Sequence, residues 1–329
     1  MKNSLGMMPS DIQPAMLRHD IGADMRLYVT FLMCVVWLTG CAIAPAVQPT
    51  TRTSDLRSVQ LSGGQPLFYR IAGQGHSTTP ILLIHGIPDA SDSWTSIAAE
   101  LGRTHPVYAV DLAGYGYSDR PEDYDVSLSA QANYLLELLD QLELERVIIV
   151  GHDIGGGIAQ ILAARNPQRV DRLVLINSVV GDNWPVLEMR LLRMPLLGYS
   201  ALTVMEKPMW QYMLRKGFFN KEMVTEEMLH RYQHWYQGSP GRQRLIRNAR
   251  ALNNADLTTL TNEIRAVPTP TLILWGREDR YLDPGLAQKL CRELRNCRFV
   301  FVDRAGHFVL DEQPQAVANA IQQFLLAKE

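Results

Sequence analysis

Short apolar runs rich in β-branched residues recur along the chain and predict strands buried on both faces. They are Ile81–Ile84, Val107–Val110, Val147–Val150, Arg172–Ile176, Pro268–Trp275 and Arg298–Val302, after a hairpin of Val59–Leu61 and Leu67–Ile71. Apolar positions within Leu128–Leu142 and Gln313–Leu326 recur instead with helical spacing. Strands alternating with helices predict an α/β fold, with a mostly parallel eight-stranded sheet flanked by helices.

The pattern changes over residues 182–257, which hold no buried strand and are rich in Met, Trp, Tyr and Arg. This predicts a helical cap inserted after the sixth strand, with residues 57–181 and 258–329 forming the core. Aromatic side chains of the cap are candidates for lining a pocket. Packing the cap onto the core is the more common role of any one of them, because aromatic residues dominate buried surface.

The first 41 residues have the pattern of an export signal. Met25 and Arg26 precede an apolar run of about 12 residues, too short to span a bilayer and typical of a signal-peptide core. The Leu-Thr-Gly-Cys41 that follows resembles the lipobox of bacterial lipoproteins, whose cysteine is lipidated and becomes the mature amino terminus. A buried helix is the alternative, and residues 42–56, rich in Pro and Thr, are predicted to be a linker.

These features predict an exported bacterial lipoprotein, attached to the membrane by its lipid. Ala42 follows the cysteine. By resemblance to Gram-negative lipoproteins, this favours the periplasmic side of the outer membrane. Translation is predicted to start at Met25, because the acidic residues among 1–24 are unusual before a signal peptide.

Composition and charge narrow the possible partners. The chain has 329 residues with a net charge of −2 and no basic block, which argues against nucleic acid. The scattered histidines form no metal constellation, and no cofactor is expected. Once the signal and Cys41 are assigned, Cys291 and Cys297 remain, and they are either a disulfide or two buried thiols.

The stretch from Arg146 to Gly157 reads R-V-I-I-V-G-H-D-I-G-G-G. It fits a strand, a sharp glycine-lined turn and a helix, which is the architecture of the G-x-S-x-G nucleophile elbow with Asp153 in place of serine. A plain turn, or an aspartate that caps the next helix, is the alternative. A carboxylate nucleophile that attacks a saturated carbon forms an ester, which water can open, whereas a serine would form an unreactive ether. Asp153 therefore predicts an electrophilic carbon in the substrate and a covalent ester intermediate.

On this elbow and three further motifs, the chain resembles the aspartate-nucleophile branch of the α/β-hydrolase superfamily, which includes epoxide hydrolases and haloalkane dehalogenases. His85-Gly-Ile87-Pro resembles the turn that supplies one oxyanion-hole N–H, which would be that of Ile87; Ile154 would supply the other. The G-x-x-D turn after the seventh strand implies that Asp279 is the triad acid, ahead of Glu278 and Asp283. The Gly-His-Phe turn after the last strand implies that His307 is the base that activates water.

The leaving group is less well defined by these motifs. Ile87 and Ile154 stand where haloalkane dehalogenases carry halide-binding side chains, so that halide site is absent. Epoxide hydrolases use cap tyrosines as acids, and the candidates are Tyr212 and Tyr232 or Tyr236. One usual tyrosine is missing, because Ala249-Arg-Ala-Leu252 replaces the Tyr-Arg-Ala-Leu of family members.

Three hypotheses follow. The favoured one is an epoxide hydrolase-like enzyme that acts on a small apolar organic substrate and water. The second is a haloalkane dehalogenase with a halide site built from Trp184 or another cap donor. The third is a non-catalytic protein that binds a ligand beneath its cap; the complete Asp–Asp–His set argues against it.

Overall fold

An eight-stranded sheet organises the computed structural model, which describes residues 55–182, 184–194, 197–204 and 206–327. The strands run in the spatial order β1-β2-β4-β3-β5-β6-β7-β8. The first two pairings, β1 with β2 and β2 with β4, are antiparallel, and all others are parallel. The strands are β1 (Leu56–Gln60), β2 (Pro66–Ala72), β3 (Ile81–Ile84), β4 (Val107–Val110), β5 (Val147–His152), β6 (Val170–Ile176), β7 (Thr271–Gly276) and β8 (Cys297–Val302).

Helices cover both faces of this sheet and form the segment between β6 and β7. Around the sheet they are α1 (Thr95–Leu101), α2 (Leu128–Gln141), α3 (Ile154–Arg165), α9 (Ala255–Thr258), α10 (Thr261–Arg265), α11 (Pro284–Glu293), α12 (Val309–Glu312) and α13 (Pro314–Leu326). Between β6 and α9 they are α4 (Leu187–Leu192), α5 (Leu197–Val204), α6 (Glu206–Gly217), α7 (Glu226–Gln233) and α8 (Gly238–Ala251). No described helix is both long and apolar enough to cross a membrane.

Burial explains why the central strands form where the apolar runs stand. Every residue of β3, β5 and β7 is buried, as expected for parallel strands covered by helices on both sides. One hydrophobic cluster packs α2, α3 and the helices of 182–257 on one side of the sheet, and a second packs α1 and α13 on the other. The carboxyl ends of the parallel strands therefore meet at one edge, beneath residues 182–257.

The predicted fold class is confirmed, including the helical insertion after the sixth strand, which we call the cap and define as residues 182–257. The first strand begins at Leu56, three residues before the predicted start, and pairs with β2 over five residues. The exact domain bounds stay a prediction. The signal peptide, the start at Met25, lipidation of Cys41 and most of the linker lie outside the described residues.

Candidate active site

Asp153 stands at the turn between β5 and α3, with a strained backbone. Its φ of 52° and ψ of −119° lie in a region that non-glycine residues rarely adopt, at a cost of about 1–3 kcal/mol. Small neighbours make the turn possible. A Cβ on Gly155 would lie 2.3 Å from the carbonyl oxygen of Ile84, and one on Gly86 would lie 2.5 Å from the Cβ of Asp153. The elbow thus lifts the Asp153 side chain above the strand end.

The two carboxylate oxygens of Asp153 have different surroundings. Oδ2 accepts a hydrogen bond from the amide N–H of Ile87 at 3.0 Å, and the amide of Ile154 also donates to this carboxylate. Oδ1 lies 3.9 Å from Nε2 of His307. Burial raises the pKa of Asp153, while the nearby His307 and the two amides oppose the rise. One oxygen is therefore fixed by the backbone while the other faces the imidazole.

His307 is paired with Asp279 on its far side. Nδ1 of His307 lies 3.1 Å from Oδ2 of Asp279. Burial alone would lower the pKa of His307, but the charge of Asp279 and its hydrogen bond raise it. Burial would in turn raise the pKa of Asp279, but the charge of His307 and the hydrogen bonds it receives lower it. This arrangement keeps Asp279 ionised and leaves Nε2 of His307 directed towards Asp153.

Asn177, at the end of β6, is a site residue to which sequence reasoning assigned no role. Its Nδ2 donates to Oδ2 of Asp279 at 2.7 Å, and its Oδ1 accepts from the amide N–H of Gly276 at 2.9 Å. It is fully buried and has a positive φ of 39°. The backbone N–H groups of Tyr281 and Leu282 hold the other oxygen of Asp279. In the sequence, Asn177 could have been recognised as a polar residue that directly follows a buried strand, at the sheet edge where Asp153, Asp279 and His307 also lie.

The histidine loop also contacts the cap directly. The amide of His307 donates to the carbonyl oxygen of Gly217, the last residue of α6, at 2.7 Å. Glu312 accepts from the amides of both Gly306 and Asn220, and so joins the loop to the segment after α6. From the elbow side, the Nε2 of His152 lies 3.0 Å from the carbonyl oxygen of His307. The position of the imidazole therefore depends on how the cap is seated.

A cavity lies between these residues and the cap, with about 40 Å³ open to water. That volume holds roughly three water molecules. Asp153 and His307 form its polar floor, and its apolar walls include Ile87, Val179, Val186, Met189, Met213 and Leu252. Ionic reactants here would be shielded from bulk water, which strengthens electrostatic interactions.

None of the three predicted cap acids lines this cavity. Tyr212 is 53% exposed and its hydroxyl lies 3.5 Å from Glu188. Tyr232 donates to the carboxylate of Asp311 at 2.6 Å, and Tyr236 is buried against Trp210. This placement differs from the expectation that they protonate a leaving group, because the hydroxyl of Tyr232 is bonded to Asp311, Tyr236 is buried outside the cavity and Tyr212 is largely exposed.

Two other side chains with hydrogen-bond donors do line the cavity. Tyr281 packs edge-on against His307, and its hydroxyl donates to the carbonyl oxygen of Met213 at 2.8 Å. Trp184 lines the cavity as well, but its Nε1–H donates to the carbonyl oxygen of Gly181 at 3.0 Å, so it is not directed at a halide. Tyr281 immediately follows the predicted acid turn, and this proximity to Asp279 was the signal in the sequence.

The remaining candidate residues make contacts that support the fold and do not line the cavity. Glu278 accepts from the amide of Ala305, and Asp283 caps α11 by accepting from the amide of Gly285. Cys291 and Cys297 are joined in a disulfide between α11 and β8, with their Cα atoms 5.3 Å apart. No group of side chains suited to a metal ion occurs in the described part of the chain.

Comparison with known proteins agrees with this architecture. A family model of the alpha/beta hydrolase fold matches residues 79–314. The 2-hydroxymuconate semialdehyde hydrolase of Pseudomonas putida is 32% identical, over 75% of this chain and 86% of that protein. Epoxide hydrolase 2 of Caenorhabditis elegans is 27% identical, over 74% of this chain and 73% of that protein.

Solved structures match in fold. A loop variant of a haloalkane dehalogenase from Bradyrhizobium elkanii superimposes with a TM-score of 0.71 at 23% identity, covering 82% of this chain and 96% of that one. Because the family model spans well over half of the sequence, the chain belongs to the alpha/beta hydrolase fold family.

Proposed function

We propose that this protein is a hydrolase that attacks an electrophilic carbon with Asp153 and releases the product by hydrolysing the resulting ester. The observation that carries the proposal is that the two oxygens of the Asp153 carboxylate have different partners. Oδ2 is held by the amide of Ile87, whereas Oδ1 faces the cavity beside His307. A residue that merely capped α3 would accept from the second or third amide of that helix, whereas the Asp153 carboxylate accepts from the amide of Ile87 across the turn and from that of Ile154, the first residue of α3.

In the first step, Oδ1 of Asp153 forms a bond to the substrate carbon, and the bond from that carbon to its leaving group breaks. The electron pair of that bond departs with the leaving group. The amide at Oδ2 fixes the carboxylate without competing for the attacking oxygen. Burial favours this step, because the raised pKa of Asp153 reflects a poorly solvated and therefore more reactive carboxylate.

In the second step, Nε2 of His307 takes a proton from water, and the water oxygen attacks the ester carbonyl carbon. Negative charge develops on Oδ2, which the amide N–H of Ile87 already contacts, and the amide of Ile154, which also donates to this carboxylate, would add to its stabilisation. Asp279 stabilises the imidazolium that forms, and its ion pair already raises the pKa of His307. Collapse of the intermediate breaks the bond between the carboxyl carbon and Oδ1, which leaves with the product and takes the proton of the added hydroxyl to become an alcohol. The water oxygen stays in the regenerated Asp153 carboxylate, and the imidazolium of His307 loses its proton to solvent.

An epoxide is the substrate class that we favour. The cavity walls are apolar, and the relative named epoxide hydrolase 2 supports this choice. Tyr281 carries the one hydroxyl group among the residues that line the cavity, so it is the candidate acid for the ring oxygen. Its O–H must first leave the carbonyl oxygen of Met213. A haloalkane is the alternative, supported by fold likeness to a haloalkane dehalogenase, and a non-catalytic ligand-binding protein is the third possibility.

The test is the variant His307→Gln, incubated with a panel of terminal epoxides and haloalkanes. The first step should proceed and the second should stall, so that intact-mass analysis finds substrate covalently attached, with the adduct mapped to Asp153. The matched control, Asp153→Asn, should acquire no adduct. Turnover by His307→Gln without an adduct would rule out the ester mechanism, and release of diol or halide by the wild type would choose the substrate class.

We also propose that the chain is a lipoprotein attached through Cys41 on the periplasmic side of the outer membrane. The support is the lipobox pattern and the apolar run before it. Mass spectrometry of protein purified from membranes should find a lipid-modified Cys41 at the amino terminus. An intact residue 1 without lipid would overturn this proposal.

A further inference from the structure

The cap carries most of the large hydrophobic side chains that are exposed in the described part of the chain. Seven of the eight large hydrophobic side chains that are exposed belong to it, the exception being Leu326. Five of the seven fall within the span 187–204, which comprises α4, α5 and their connection: Leu187, Leu191, Met194, Tyr199 and Val204. Single exposed apolar side chains are common, but such a concentration in one segment marks an interaction surface.

Helix α4 is apolar on two opposite sides. Met189 and Leu192 are buried, and Met189 lines the cavity above Asp153. On the outer side, Leu187 is 64% exposed, Leu191 44% and Met194 48%. A spacing of four residues places Leu187 and Leu191 on one side of α4, and Met194 follows in the turn after the helix, where its amide bonds the carbonyl oxygen of Leu191. We call these three side chains the outer stripe. An ordinary surface helix would present polar residues there, so the outer stripe lacks the solvent-facing side that amphipathic helices have.

The charges beside this stripe indicate what covers it. Arg190 and Arg193 flank it, and their Nε atoms bond the backbone carbonyl oxygens of Pro185 and Ala249. Within the described residues, neither forms an ion pair with a carboxylate. Burial lowers the pKa of Arg193, and the positive charge of Arg190 lowers it further, so the two cations stand close together without a compensating anion.

The cap as a whole also has a net positive formal charge. Residues 182–257 contain 11 Lys and Arg against 7 Asp and Glu, although the chain as a whole has a net charge of −2. Cationic side chains bordering an exposed apolar stripe are the combination that binds the interface of an anionic membrane. A second copy of this chain would bring the same positive charge to the contact, which disfavours self-association through this face.

We propose that the outer face of α4 and α5 rests on an anionic phospholipid bilayer, and that apolar substrates pass from the lipid beneath α4 into the cavity. Leu187, Leu191 and Met194 enter the acyl boundary, while Arg190 and Arg193 bind phosphate groups. Met189, on the inner side of the same helix, already contacts the cavity. A segment of one helix therefore separates the membrane from Asp153.

The test is amide hydrogen exchange of the full-length chain with vesicles of phosphatidylglycerol and phosphatidylcholine, or of phosphatidylcholine alone. Amides of residues 187–204 should exchange more slowly only with the anionic vesicles. Because an amino-terminal lipid would insert into both kinds of vesicle, protection that occurs only with the anionic vesicles cannot come from the anchor alone. Each of Arg190→Gln and Arg193→Gln should lower the affinity for anionic vesicles about fivefold.

The decisive variant combines Leu187→Ser, Leu191→Ser and Met194→Ser, which should abolish the protection. Leu326→Ser, which removes an 82% exposed leucine outside the cap, is the matched control and should keep it. Unchanged exchange in β5 would establish that the triple variant is folded. Absence of vesicle-dependent protection in the wild type would overturn the proposal. So would protection without lipid that rises with protein concentration, which would identify a second copy as the occupant.

Discussion

Removing the side chain of Asn177 should shift the pH dependence of the ester-hydrolysis step. Nδ2 of Asn177 and Nδ1 of His307 both contact Oδ2 of Asp279, so they share the negative charge of one oxygen. In Asn177→Ala that oxygen is left with His307 as its main partner. The imidazolium is then stabilised further, and the pKa of His307 rises. Since His307 must be neutral to take a proton from water, the rising limb of the pH–rate profile moves to higher pH.

The structure also sets the cost in stability. A hydrogen bond to a charged group contributes about 1.5–3 kcal/mol, and leaving a buried donor unpaired costs about 1–3 kcal/mol. Asn177→Ala removes the 2.7 Å bond to Asp279 and leaves the amide of Gly276 without its acceptor. We therefore expect a loss of roughly 2–4 kcal/mol in the free energy of unfolding, enough to be measured by urea denaturation.

Asn248→Ala is the matched control. Asn248 is equally buried, and its Nδ2 donates to the carbonyl oxygen of Gly114 at 2.8 Å, in a part of the cap that does not touch the triad. Rapid-quench measurement of ester breakdown across pH should find a shifted limb in Asn177→Ala alone, although both variants lose stability. If the rising limb of the pH–rate profile lies at the same pH in both variants and in the wild type, Asn177 has no role in tuning the charge of the triad and is a structural residue.

Three further results are expected. Asp153→Asn should abolish turnover and raise the melting temperature at pH 7, as calorimetry would detect, because burial raises the pKa of Asp153 and its ionised form costs folding energy; a lower melting temperature would contradict this. Tyr281→Phe should slow epoxide opening more than haloalkane turnover if its hydroxyl protonates the ring oxygen; equal effects in steady-state assays would exclude that role. Burial raises the pKa of Asp89 to about 8, well above its value in an unfolded chain, so its contribution to stability is full below pH 3.8 and is lost as pH rises through 8. Asp89→Asn should therefore flatten the fall in urea stability between pH 5 and 8, and an unchanged slope would contradict this.

The sequence by itself determined the sheet and the order of the reacting groups. The segment Val147–Val150 of β5 is buried on both faces, so it appears in the sequence as an unbroken apolar run. This pattern can be recognised without knowing which residues pack against the strand. The elbow is also visible in a short stretch of sequence, because Gly151, Asp153 and Gly155 fall within five residues, although the contact that requires Gly155 is with the end of a different strand, at Ile84. Asp153, Asp279 and His307 each follow a strand of the parallel sheet, and strand ends of such a sheet share one edge.

Only the tertiary structure decided which side chains surround these groups. The bond from Asn177 to Asp279 joins residues 102 positions apart, and the bond from His307 to Gly217 depends on the seating of the cap. Nothing in the sequence distinguishes Tyr232 from a tyrosine that lines the cavity, yet in the folded chain its hydroxyl donates a hydrogen bond to Asp311. Periodicity states which face of a helix is buried, but the partner it meets depends on how helices pack, and that is a long-range property of the folded chain.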